Sequence, residues 1–106
     1  MTERTFSKLL IANDLGITGG HQGGILVPKG DPELLAFFPF LDSAVENPDA
    51  WIFATDDRGE ERRLRYIWYN RKRHGKGTRD EYRITWLTDY LRASVARPGD
   101  ALTFRW

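Results

Sequence analysis

The chain has 106 residues, enough for one domain with a single hydrophobic core. Hydrophobic residues make up 41% of it and charged residues 29%, a composition that excludes a disordered chain. There is no cysteine, which excludes disulfides and thiolate metal sites, and the longest apolar stretch, 34–41, is too short to cross a bilayer. We therefore expect one domain over residues 1–106, with no metal, cofactor or membrane partner, and the absence of cysteine fits a reducing cytoplasm.

The predicted secondary structure consists of short strands separated by turns. Alternating or β-rich segments predict strands at 5–11, 24–28, 51–55, 61–69, 78–86 and 101–106. Helices are predicted at 31–38, with Asp31 as N-cap before Pro32, and at 87–97, with Thr88 as N-cap. Around the first helix, the residues assigned to the core are Leu34, Leu35, Phe37, Phe38 and Phe40. In the second, Leu87, Leu91 and Val95 have helical spacing. Six strands and two short helices predict a mostly β domain with a barrel-like sheet.

A glycine-rich loop lies between the first two predicted strands. Residues 12–23 contain four glycines, which permit unusual backbone angles or the close approach of another surface, and they present His21 and Gln22. From the residues alone, this segment is either a polar loop tip or a ligand-contacting loop.

Positive charge is concentrated in one part of the sequence. Between Arg58 and Arg83 there are ten Lys or Arg and four Asp or Glu, a net charge of +6, while the remaining chain carries −5. The basic loop 70–77 leads into Arg79, and its close cations repel one another unless an anion such as phosphate neutralises them. This distribution is typical of a polyanion-binding face, although a solvated hairpin would also account for it.

The predicted strand 78–86 places Arg79, Glu81 and Arg83 on one face. Such a row is either a salt-bridged surface or a set of base readers. A guanidinium can bind the two acceptors on the major-groove edge of guanine, and a carboxylate can accept from the amino group of cytosine. We predict that Arg79 and Glu81 read a C·G pair or two adjacent ones.

An enzymatic site has weaker support in the sequence. Asp49 after Pro48, followed by Glu60 and Glu61, is similar to the pattern of metal-dependent nucleases, but Arg62 stands where a Lys is needed. The histidines lack metal-ligand spacing. We expect no catalytic activity from this chain, and a nuclease fragment remains the less favoured alternative.

A small barrel that binds RNA or single-stranded nucleic acid is the other alternative. Such proteins stack bases on exposed aromatic rings. The predicted strands direct Tyr66, Trp68, Tyr82 and Trp86 into the core, which leaves Tyr69 as the aromatic residue beside the basic loop. This pattern favours duplex DNA.

Three segments carry a resemblance to a known family. The segment 13–28, Asn-Asp-Leu-Gly-Ile-Thr-Gly-Gly-His-Gln-Gly-Gly-Ile-Leu-Val-Pro, resembles the signature of the EcoRII-type effector domain of restriction endonucleases. The segment 77–85, Gly-Thr-Arg-Asp-Glu-Tyr-Arg-Ile-Thr, looks like a second part of that family, and 98–104 is similar to the turn and strand that close many such barrels. The family usually has a further strand, so a compact version or a piece trimmed from a longer restriction endonuclease is expected.

The resemblance implies a DNA-binding pseudobarrel, as in plant B-three transcription factors, with two arms that enter the major groove. The first arm would correspond to the glycine-rich loop and the second to residues 70–83. The resemblance also implies a prokaryotic, cytoplasmic protein that is fused to or acts with a nuclease domain. Such a protein would read a short C·G-containing site, CCWGG-like or related. The expected base readers are His21, Gln22, Arg79, Glu81 and Arg83. The expected backbone contacts are Asn13, Asn70, Arg71, Lys72, Arg73, Lys76 and Thr78.

Overall fold

The computed structural model describes residues 5–15 and 24–105. Within these ranges the fold is mostly β, with two α-helices and two open sheets, in agreement with the expected open pseudobarrel. The strands are β1 (Thr5–Leu9), β2 (Ile25–Val27), β3 (Asp49–Thr55), β4 (Glu61–Tyr69), β5 (Glu81–Thr85) and β6 (Ala101–Arg105). The helices are α1 (Pro32–Phe37) and α2 (Thr88–Ala93), and 3₁₀ turns occupy Ala12–Leu15 and Arg71–His74. No helix within the described ranges is long and apolar enough to span a membrane.

The chain divides into two compact units, and the first combines Met1–Ile25 with Leu87–Trp106. In it, β1 and β6 pair antiparallel. The rings of Phe6 and Phe104 stack across this pair with their centroids 6.0 Å apart. Cross-strand contacts of this kind supply much of the stability of a two-stranded ribbon.

The second unit, Leu26–Trp86, is built around a four-stranded sheet with the order β2-β5-β4-β3. Both β3 with β4 and β4 with β5 pair antiparallel, and β3 lies at the edge. The β3–β4 turn is closed by the Asp56 carboxylate, which accepts from the backbone N–H groups of Arg58 and Glu60, and Gly59 there adopts a φ of +80°. The strands predicted at 51–55 and 61–69 are thus joined by a tight hairpin turn.

The core of the second unit is aromatic. The buried Tyr66 ring stacks against Phe38 at 4.7 Å and against Tyr82 at 5.8 Å, and Tyr82 also stacks on Trp68 at 5.0 Å. Asp31 caps α1 by accepting from the Leu34 N–H at 3.1 Å, and the Leu34 side chain is buried. The predicted N-cap of the first helix is confirmed.

Several predictions on the helices and the core were wrong. Thr88 does not cap α2, because Leu87 occupies the N-cap position without a side-chain bond. Phe37, Phe40 and Val95 are exposed: α1 ends before Phe40, and Val95 lies beyond α2 with a φ of +52°. Trp86 is also exposed, because its φ of +68° ends the regular alternation of β5.

Candidate nucleic-acid interface

The basic arm, residues 71–80, connects β4 with β5. Its 3₁₀ turn ends at Gly75, whose φ of +67° is a conformation that glycine adopts at low cost. The backbone then doubles back, since the Lys76 N–H donates to the Arg71 carbonyl and the Lys72 N–H donates to the Arg79 carbonyl. These hydrogen bonds fix the backbone from which the cationic side chains project.

Most of the predicted DNA-contact residues of this arm are exposed. The side chains of Arg71, Arg73, Lys76 and Arg79 have between 47% and 58% of their surface accessible. Lys72 and Thr78 are also exposed. The structure therefore brings together, on one short segment, five cations that could reach a polyanion.

Asn70 does not belong to this exposed set, although the sequence suggested a DNA contact. Its side chain is fully buried. The Asn70 Oδ1 accepts from the Asn47 N–H at 2.8 Å, and Nδ2 donates to the Val45 carbonyl at 2.8 Å. The Asn70 N–H in turn donates to the Asn47 Oδ1 at 3.2 Å. Asn70 is thus a packing residue that fixes the segment 45–47 beside the arm.

Glu46, on that fixed segment, pairs with two cations of the arm. Its Oε1 lies 3.0 Å from Arg71 Nε, and its Oε2 lies 2.9 Å from Lys76 Nζ. The sequence analysis missed this residue because it lies about 25 positions before the arm in a stretch that shows no motif.

Asp80 forms a second bridge of the same kind. Its carboxylate pairs with Lys29 at 3.2 Å and with Arg73 at 3.5 Å, and it accepts from Trp68 Nε1 at 2.8 Å. Arg73 also lies over the Trp68 ring, with 5.1 Å between the guanidinium carbon and the ring centroid. The arm is thereby anchored to the aromatic core of its unit.

Glu81 joins the two arginines of the predicted base-reading row. Arg79 Nε donates to Oε1 at 2.7 Å, and Arg83 Nη2 donates to Oε2 at 3.2 Å. The Arg79 guanidinium also lies 3.9 Å from the Tyr69 ring centroid. Arg79 is half exposed, whereas Arg83 and Glu81 retain 21% and 25% of their side-chain surface, so Arg79 is the most accessible of the three.

These three bridges correct the expectation that the arm cations lack counter-anions within the protein. Each of Glu46, Asp80 and Glu81 is shared by two cations, so about half of the local positive charge is balanced internally. Lys72 has no carboxylate partner in the part of the chain that the structure describes. The arm still carries an excess of positive charge.

The bridging carboxylates are held ionised. The hydrogen bond from Lys76 lowers the pKa of Glu46, and the bond from the Trp68 indole lowers that of Asp80. Burial opposes ionisation of Glu81, but the hydrogen bonds from Arg79 and Arg83 outweigh it and place its pKa below the ordinary value. At neutral pH the arm therefore presents fixed ion pairs.

A second exposed cluster joins Trp51 of β3 and Arg63 of β4 with Trp86, the residue that follows β5. Trp51 and Trp86 meet edge to face, with ring centroids 4.8 Å apart, and both are exposed. The Arg63 guanidinium lies 4.4 Å from the Trp51 centroid and 5.2 Å from that of Trp86. The prediction that the aromatic residues of β5 all face the core is wrong at Trp86, and this cluster is the kind of platform on which single-stranded bases stack.

The residues of the alternative nuclease site do not meet. Asp49 pairs with Ile67 in the β3–β4 ladder and Glu61 pairs with Thr55, so they lie at opposite ends of that hairpin, about 20 Å apart at the rise of a β-strand. Asp49 is instead bound to Arg65 at 2.7 Å. Residues 5–15 and 24–105 contain no group of three His, Asp or Glu side chains that could hold a metal ion.

The glycine-rich arm is mostly outside the described residues. His21 and Gln22 fall there, and of Asn13 only the backbone, in the 3₁₀ turn Ala12–Leu15, is described. Their assignment to DNA contact stays a prediction.

The sequence family is settled by comparison with known proteins. Residues 2–93 match the family model described as restriction endonuclease EcoRII, N-terminal. The chain belongs to this family of restriction-enzyme N-terminal domains, which confirms the resemblance inferred from the motif at 13–28.

A particular relative is the type II restriction enzyme EcoRII of Escherichia coli. It is 37% identical over 101 residues, an alignment that covers 92% of this chain and 24% of the enzyme. The chain thus spans about a quarter of the length of this relative. The expectation that this chain alone is not an enzyme is consistent with a match to the N-terminal domain.

Proposed function

We propose that the chain binds double-stranded DNA sequence-specifically, as the target-recognition domain of a restriction endonuclease. The observation that carries this proposal is the basic arm, which holds five exposed cations on a backbone fixed by Gly75 and by Asn70. Family membership supports it, since the relative is by name a restriction enzyme. Selection of bound duplexes from a random pool tests it, and a pool without enrichment would contradict it.

We also propose which residues contact the DNA phosphates and which read the bases. Arg71, Lys72, Arg73, Lys76 and Thr78 would contact phosphates, together with Asn13 of the first arm. Arg79, Glu81 and Arg83 would read a C·G-containing site of the CCWGG kind in the major groove, with His21 and Gln22 added from the first arm. The bond to Glu81 and the contact with the Tyr69 ring support this, because they restrict the orientation of the Arg79 guanidinium.

The association with a nuclease is also part of the proposal. The relative is four times longer than the aligned part, so the remaining sequence has room for a catalytic domain to which a recognition domain would be joined. A bacterial cytoplasm, where the genome and its restriction enzymes meet, would be the site of action.

Salt dependence gives a direct test of the phosphate contacts. Four contacts from Arg71, Lys72, Arg73 and Lys76 predict a log–log slope of the binding constant against salt concentration of about −3.6 from this arm, at about −0.9 for each phosphate. Lys72→Ala should make the slope shallower by about 0.9. Arg58→Ala is the matched control, because Arg58 lies in the turn at the far end of β4 from the arm. A slope near zero, or equal changes in both variants, would refute the assignment.

Single-strand binding is the second candidate function, and the Trp51–Arg63–Trp86 cluster is the observation in its favour. We expect duplex DNA to outcompete a single strand of the same sequence, and Trp86→Ala to leave duplex affinity unchanged. Phe40→Ala, which removes another exposed aromatic side chain, is the control. The second candidate would be favoured if the wild type bound the single strand more tightly than the duplex, and if Trp86→Ala lost this single-strand binding while Phe40→Ala kept it.

A further inference from the structure

Glu46 pairs with two cations of the basic arm from a segment that is distant in the sequence. Its two oxygens bind Arg71 Nε and Lys76 Nζ at 3.0 and 2.9 Å, so one carboxylate holds cations from the beginning and from the far side of the 3₁₀ turn. We infer that Glu46 is a specificity-determining residue of the DNA interface, and that it acts by orienting Arg71 and Lys76. This inference rests on the proposed function.

The carboxylate leaves both cations able to bind a second partner. Arg71 uses Nε in the contact with Glu46, and a guanidinium has four further N–H donors, while an ammonium group has three donors in all. Both side chains keep more than half of their surface accessible, whereas Glu46 keeps 33%. A phosphate can therefore reach each cation without displacing Glu46, provided that it approaches from the open side.

The backbone around Glu46 is held in place more firmly than the loop of an ordinary surface salt bridge. Asn47, the next residue, exchanges two hydrogen bonds with the buried Asn70, and the preceding residue, Val45, accepts from the Asn70 amide. Asn47 has a φ of +50°, which Asn tolerates better than most residues. Farther along, His74 of the arm meets the Ser43 carbonyl at 3.1 Å. Because both sides of the bridge are anchored, Glu46 fixes where the two cations lie.

A fixed counter-anion acts differently on specific binding to the selected site and on nonspecific binding to an arbitrary duplex. When the bases are read correctly, the phosphates have one register, and oriented cations meet them with little loss of side-chain entropy. On an arbitrary duplex no register is favoured, so binding depends on cations that follow the phosphates wherever they lie. There the carboxylate restrains both cations and repels the phosphates. Glu46 should therefore weaken binding to arbitrary DNA more than binding to the selected site.

The test compares Glu46→Gln with wild type on a selected duplex and on a scrambled duplex of equal length, over a series of salt concentrations. Glu33→Gln, which makes the same change in net charge on α1, is the control. We expect Glu46→Gln to raise affinity for the scrambled duplex about fivefold, the effect of one unit charge at about 4 Å in water. Affinity for the selected duplex should rise less or fall, and the salt slope should steepen on scrambled DNA alone.

A second variant separates orientation from charge. Asn47→Gly permits the same backbone angle but removes the side-chain oxygen that accepts from Asn70, so the segment loosens while every charge remains. We expect the ratio of selected to scrambled affinity to fall in the same direction as in Glu46→Gln.

The outcomes separate this inference from the proposed function. An equal rise of both affinities in Glu46→Gln would show a plain charge effect and overturn the inference, as would a specificity ratio unchanged in both variants. In either case the wild type would still discriminate between the two duplexes, and the proposed function would stand. A wild type that binds neither duplex would overturn both.

Discussion

Replacement of Arg79 by alanine is expected to weaken binding to the selected duplex by about 1–3 kcal/mol, and to have a much smaller effect on random DNA. The guanidinium is half exposed, lies against the Tyr69 ring and is held by Glu81 at 2.7 Å, so it is oriented before DNA arrives. A bidentate contact with guanine is the interaction that such a group makes best, and its loss removes information at that base pair. Equilibrium binding to duplexes substituted one pair at a time measures the effect.

Glu81→Ala is the informative companion to this variant. It removes a carboxylate that would accept from cytosine, but it also releases Arg79 and Arg83 and takes away a charge that repels phosphate. Discrimination between sites should therefore relax more than affinity falls. Equal losses on selected and random duplexes in both variants would mean that these residues contact only the DNA backbone.

The other large effect is expected on stability, at Asn70. Asn70→Ala removes the two hydrogen bonds that the fully buried Asn70 side chain makes with the Asn47 N–H and the Val45 carbonyl. At about 0.5–1.5 kcal/mol of net stability for each of these two hydrogen bonds, the free energy of unfolding should fall by about 1–3 kcal/mol. Chemical denaturation monitored by circular dichroism measures this change.

Lys72→Ala is the control for Asn70, since the two residues lie close in sequence but only Lys72 is exposed. It should change the free energy of unfolding by less than about 0.5 kcal/mol while it weakens binding to every duplex. The reverse pattern, with a stable Asn70→Ala variant that loses only DNA affinity, would restore Asn70 as a DNA contact.

Periodicity and turn chemistry predicted most of the fold. The strand predicted at 61–69 has the observed bounds of β4, and the Asp31–Pro32 pair correctly marked the start of α1. Two of the failures share a cause: Trp86 and Val95 both have positive φ, which reverses the direction of a side chain without a signal in the residue type. A β-branched or aromatic residue in that conformation is rare enough that no propensity rule anticipates it.

The candidate site was predictable where neighbours in sequence are neighbours in space. The period of a strand predicts that Arg79, Glu81 and Arg83 share one face. Their ion pairs match the salt-bridged surface, one of the two alternatives that the sequence left open. Glu46 was not predictable, because its contact with the arm depends on the buried Asn70, which looks like one more polar residue of a basic loop. Pairings between distant segments depend on tertiary structure that local patterns do not encode.

The position of β3 at the edge of its sheet has a practical consequence for work with the purified chain. The strand reads Asp-Ala-Trp-Ile-Phe-Ala-Thr, with no Lys, Pro or Gly, and it exposes Trp51 and Phe53 on one face. Edge strands without such protecting residues are templates for intermolecular pairing. In concentrated solution, protein molecules should therefore associate with one another first through β3. A lysine at Phe53, at the centre of this edge and far from the arm, is the substitution that would most simply keep the protein soluble.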